Sequence, residues 1–61
     1  MELNTNIIIE FKGTSEEYTL AELKEAHPGI VTTDIENLLD DIFEQVEGAE
    51  GVEIDGYLYA K

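Results

Sequence analysis

The chain has 61 residues, no cysteine and no arginine, and its fifteen acidic residues face three lysines, for a net charge of −12. That length fits one domain over residues 1–61, which buries about 60% of the surface its unfolded form exposes and has no disulfide or thiolate metal site to help it. The charge excludes nucleic acid and anionic membrane as direct ligands, since both attract Lys and Arg, and it exceeds the magnitude of roughly 2–8 usual for a small domain.

Acidic disorder does not explain this composition, because 43% of the residues are apolar and they are periodically placed. The start, MELNTNIIIEF, has no basic n-region and no long apolar h-region, so it does not read as a signal peptide. The aliphatic run Ile7-Ile8-Ile9 is far short of a membrane span. A cytoplasmic protein is the expectation.

Thr5 to Lys12 reads as a strand. Ile7, Ile9 and Phe11 alternate onto one face, with Asn6, Ile8 and Glu10 on the other. Gly13 to Glu16 reads as a loop, and Glu17-Tyr18 as a short strand pairing back in a hairpin. Thr19 and Glu22 then form a capping-box pattern, with Tyr18 and Leu23 placed as a hydrophobic staple. The helix that follows, Leu20 to about His27, stops at Pro28-Gly29.

Thr33 and Glu36 repeat the capping box. Ile35, Leu38, Leu39, Ile42, Phe43 and Val46 follow as one apolar stripe at helical period. Gly48 is placed to end that helix at its C′ position. Gly51 to Ala60 alternates as a terminal strand, with Val52, Ile54 and Leu58 on the core face and Tyr57 and Tyr59 on the other. Alternatively, Asp55-Gly56 is a tight turn that divides the segment into a hairpin.

The predicted fold is α+β: a small antiparallel sheet of two or three strands packed on two helices, in the order β-(β)-α-α-β. The expected core also takes in Phe11, Ile30, Ile35 and Leu58. A winged-helix-like arrangement is the alternative, with Thr19 to Val46 as a helix-turn-helix and Glu50 to Lys61 as the wing. Its recognition helix would carry six acidic groups and no cation, so it would not serve to bind DNA.

The acidic side of the second helix is the leading candidate site. Glu36, Asp40, Asp41, Glu44 and Glu47 lie away from the apolar stripe, with Asp34 at the flank. Carboxylates three or four residues apart on a helix stand about 5–6 Å from each other, close to the spacing of neighbouring phosphates along a nucleic-acid strand. A helix built for stability usually intersperses lysines as i,i+4 partners, yet no Lys or Arg occurs from residue 25 to residue 60. The dull reading of the same face is a solvated helix surface. A second candidate is an interface patch of Ile8, Tyr57 and Tyr59, which suits a homodimer as well as a foreign partner.

Catalysis finds little material. His27, the single histidine, sits where it favours a helix C-terminus, and Ser15, the single serine, has no arranged base. No phosphate-binding glycine loop is present. Gly51 to Gly56 resembles a calcium loop only faintly, lacking a carboxylate at its first position and ending before its twelfth. No cofactor and no metal are expected.

In size, charge and lack of cysteine the chain resembles small acidic phage-encoded proteins that inhibit host machinery, DNA mimics among them. The likeness spans the whole chain and lies in composition. The function it suggests is a non-enzymatic acidic module that binds a basic, nucleic-acid-binding protein by imitating phosphates. The alternative is a small oligomerising or accessory module whose acidity serves solubility.

Overall fold

A computed structural model describes residues 1–61. Its elements run β1 (Asn6–Phe11), β2 (Thr14–Thr19), α1 (Leu20–Ala26), α2 (Ile35–Gln45), β3 (Gly51–Ile54) and β4 (Tyr57–Ala60). The strands form one antiparallel sheet of four, ordered β2-β1-β3-β4. Both helices cover one face and leave the other open, which makes an α+β domain of two layers.

Register explains which residues meet. Ile7 lies opposite Tyr18 on one side and Ile54 on the other, and Ile9 opposite Glu16 and Val52. Directly opposed residues share a sheet face. Ile7, Ile9, Val52 and Ile54 therefore form the floor of the core. Leu20 and Leu23 of α1 cover it together with Leu38 and Ile42 of α2 and Val46 at its end. Ile30 and Ala49 close the ends of this cluster, and Phe11 and Leu39 pack against it half-buried.

The sheet gains strands over the two or three expected at two tight turns. Lys12-Gly13, with Gly13 at φ +82°, reverses the chain so sharply that all of Thr14–Thr19 pairs with β1, not Glu17-Tyr18 alone. Asp55 (φ 49°) and Gly56 (φ 87°) both take left-handed backbone, the requirement of a type I′ hairpin turn. The alternative reading of that segment, a hairpin, is the one realised.

That turn also corrects the faces of β4. A continuous strand would keep Leu58 with Val52 and Ile54. Across a two-residue turn, however, the flanking residues Ile54 and Tyr57 stand opposite each other, as do Val52 and Tyr59. Tyr57 and Tyr59 therefore lie on the helix face, and Leu58, opposite Glu53, lies on the open face with Ile8. Leu58 is 61% exposed and Ile35 is 37% exposed, so neither belongs to the core, whereas Ala49 at 2% does. The winged-helix-like alternative is not what forms: β3 lies inside the sheet between β1 and β4, leaving no free wing.

Helix α1 is short, and its start is fully satisfied. Thr19 accepts from the Glu22 N–H at 3.2 Å, and Glu22 accepts from the Thr19 N–H at 2.8 Å, completing the capping box. The segment before β1 supplies the remaining acceptors: Leu20 N–H donates to the Thr5 carbonyl and Ala21 N–H to that of Leu3. These bonds occupy the amides that a helix N-terminus otherwise leaves free.

Helix α2 is capped by Asp34, not by the expected Thr33. Asp34 accepts from the Asn37 N–H at 2.9 Å with one oxygen, while its other oxygen receives the Asn37 side-chain amide and the Thr33 hydroxyl. The carboxylate serves three donors here, more than the two lone pairs of a hydroxyl accept, and its charge suits the positive end of the helix. Helical structure ends at Gln45, and Gly48 (φ +85°) turns the chain one residue later than the expected C′ position.

Candidate functional site

At 100° per residue, Glu36, Asp40 and Glu44 fall in line along α2 on the side away from Leu38 and Ile42. All three are exposed, as is Glu47 just beyond the helix. Asp41 is turned a further 100° from Asp40 and is half-buried. Its Oδ2 accepts the Val31 N–H at 2.7 Å, a distance typical of a charge-assisted bond. One turn on, Gln45 donates its amide to the Gly29 carbonyl at 3.3 Å. Together these two side chains pin the α1–α2 connection against α2.

The six acidic residues singled out from sequence thus divide into two groups. Asp34 and Asp41 hold the backbone in place. Glu36, Asp40, Glu44 and Glu47 point into solvent. The hydrogen bonds from Asn37, backbone first and then side chain, hold the Asp34 carboxyl below the usual aspartate range, and Thr33 adds to them against a small opposing effect of burial.

The two helices treat their dipoles differently. Helix α1 has Glu22 in its first turn, as a helix dipole prefers, and in its last turn Lys24 offsets Glu25. Helix α2 has Glu36 in its first turn but no cation in its last, where Glu44 instead faces the negative end. A carboxylate there opposes the dipole by roughly 0.3–1 kcal/mol. Helix stability therefore accounts for Glu36 and Asp34, and not for Glu44.

The second candidate patch does not assemble on one side. Ile8 is half-buried on the open face between Glu17 and Glu53. Tyr59 is half-buried against the core on the helix face, and Tyr57 beside it is 72% exposed. Leu58, which sequence reasoning assigned to the core, is the apolar side chain that joins Ile8 on the open face. The Asp55-Gly56 dipeptide is the signal that could have placed it.

Tyr18 donates its hydroxyl to Glu16 Oε1 at 3.0 Å. Burial foremost, then that bond and the Glu16 charge, raises the Tyr18 pKa above its ordinary value. His27 caps α1 with its ring edge-on to Tyr18 at 6.2 Å, and Ser15 is exposed on β2. No group of three His, Asp or Glu side chains converges as metal ligands, and no cleft or cavity opens in the surface. The segment with faint likeness to a calcium loop is the β3–β4 hairpin. No helix is long and apolar enough to cross a membrane. No protein-family model, curated protein or solved structure matches the chain.

Proposed function

We propose that this protein is a non-enzymatic, cytoplasmic binding module whose Glu36–Asp40–Glu44 row engages a basic protein, one that itself binds nucleic acid. The row occupies Lys and Arg sites that phosphates would otherwise fill, and so occludes them. The observation that carries this reading is the division within α2: two carboxylates are spent on holding the fold, while the remaining row is exposed, unaccompanied by any cation, and set against the helix dipole at Glu44. Such a row has a cost to the fold and a use only outside it. The lack of a cleft supports a surface contact over catalysis. Neither a cofactor nor a metal enters the mechanism.

The test is capture from nuclease-treated bacterial lysate with elution over a salt gradient, comparing the native protein with the triple variant Glu36→Gln, Asp40→Asn, Glu44→Gln. The native protein is expected to retain a basic nucleic-acid-binding protein that the variant does not. Equal capture by both would end the proposal.

A further inference from the structure

Strand β4 is a sheet edge whose outward backbone groups and side chains are open to a partner. Its pairing alternates. Tyr57, which flanks the turn, and Tyr59 are the bonded partners of Ile54 and Val52, and the ladder continues with the Lys61 N–H on the Glu50 carbonyl at 3.2 Å. Residues between bonded pairs direct their N–H and C=O away from the neighbouring strand. In β4 these are Leu58 and Ala60, at the sheet's edge. Their four backbone groups form a vacant ladder.

Sheet edges are normally guarded by charge, proline or a bulge. The opposite edge, β2, follows that rule with Glu16 and Glu17, and its Thr19 N–H is already held by Glu22. The β4 sequence, Tyr-Leu-Tyr-Ala, has no such guard within it, and Lys61 follows at its end.

The open face beside β4 selects the occupant. An added strand would place one side chain next to Leu58 and another next to Ala60, on that face. Behind Leu58 stands Glu53, and behind Ala60 stands Gly51. Gly51 has no side chain, and both the Glu10 carboxylate and Leu58 lean over it: Glu10 Oε1 and Leu58 Cδ1 each lie 3.6 Å from where a Cβ would be. Strands are spaced about 4.8 Å apart, so Glu53 is roughly 10 Å from the incoming backbone. A Lys or Arg can span that by laying its apolar stem across Leu58. No cation occupies the strand residues of this face.

We propose that β4 is a docking edge for an extended, cationic segment of a partner protein. The segment joins the sheet as a fifth strand by bonding Leu58 and Ala60, and it directs Lys or Arg side chains over Leu58 and Gly51 to Glu53 and Glu10. This rests on the reading above only in taking the partner to be basic. A second copy of the chain fits the edge less well, since it brings another −12 and no cation in its own β4.

The probe is a synthetic peptide of four Lys-Val repeats, titrated into the labelled protein and read by amide chemical shifts and hydrogen exchange. Its control is the same peptide with alternate backbone nitrogens methylated, which keeps the charge and blocks the ladder. The expected result is protection of the Leu58 and Ala60 amides and binding weakened roughly two- to tenfold or more by methylation, each lost bond being worth about that factor. Ala60→Pro removes an outward donor that the fold itself does not use and should weaken binding similarly, while Glu36→Gln, Asp40→Asn, Glu44→Gln should not. Equal binding of both peptides, or unprotected Leu58 and Ala60 amides, overturns the proposal and leaves the α2 reading standing. Loss with the α2 variant alone does the same. A mass that rises with concentration, and falls back to monomer in Ala60→Pro, would assign the edge to a second copy and overturn it too.

Discussion

Asp40 and Asp41 are adjacent, yet their replacement by alanine should move stability in different directions. Asp41 accepts the Val31 N–H at 2.7 Å and is half-buried. Hydrogen bonds to charged groups contribute about 1.5–3 kcal/mol, and partial exposure favours the low end. Alanine returns roughly 0.5 kcal/mol through its higher helix propensity. The net loss for Asp41→Ala is about 1–2 kcal/mol, and each kcal/mol lowers Tm by about 4–8 °C in a domain of this size. Asp40 is exposed, so Asp40→Ala keeps the propensity gain, removes one repelling charge and should leave Tm unchanged or slightly raised. Thermal melts followed by far-ultraviolet circular dichroism measure both. Hydrogen exchange adds a local reading, since only the Asp41 variant should deprotect the Val31 amide. If Asp41→Ala melts with Asp40→Ala, or the Val31 amide is unaffected, the division of α2 into structural and free carboxylates is wrong.

Added NaCl should raise Tm of the native protein by screening repulsion within a −12 chain, and a flat response would mean the repulsion is minor. The Asp34 pKa is lowered in the folded state, so its contribution is fully present above the unfolded aspartate value near about 4 and is lost as pH falls through the folded value. Tm of Asp34→Ala should thus lie below that of the native protein at neutral pH and converge with it in acid; a pH-independent gap would contradict the capping role. The Tyr18 pKa is raised, so its contribution is present below the unfolded value near about 10 and is lost as pH rises through the folded one; Tyr18→Phe should flatten the alkaline limb of the stability profile, and an unchanged limb would refute this. Gly56→Ala should destabilise by about 1 kcal/mol through its left-handed backbone alone, because no atom lies within 4 Å of the added Cβ; denaturant titration checks it, and a neutral result would place the turn in another conformation.

Much of the fold was legible where a periodicity and a local signal agreed. Ile7 and Ile9 alternate, Thr19 and Glu22 cap, and Leu38, Ile42 and Val46 recur at helical spacing; each does in the structure what that pattern requires. Failures arose where alternation was carried through a turn. Asp55-Gly56 inverts the phase of β4, which moved Leu58 out of the core and the tyrosines away from Ile8. Strand β2 was underestimated because Thr14, Ser15 and Glu16 lack an apolar alternation, and pairing with β1 through the Gly13 turn decides their conformation instead. The acidic face was visible in the sequence as composition, but the roles of Asp34 and Asp41 were not. Both depend on backbone amides, at Asn37 and Val31, that only the folded chain brings within reach.

The decisive measurement is displacement of duplex DNA from the protein captured out of lysate, titrated with the native chain, the Glu36→Gln, Asp40→Asn, Glu44→Gln variant, and Asp41→Asn. Phosphate imitation requires that the native chain release the DNA, that the triple variant do so far more weakly, and that Asp41→Asn stay close to native. Equal displacement by all three, or none by the native chain, would show that the acidic row of α2 is a solvated surface and not the binding site.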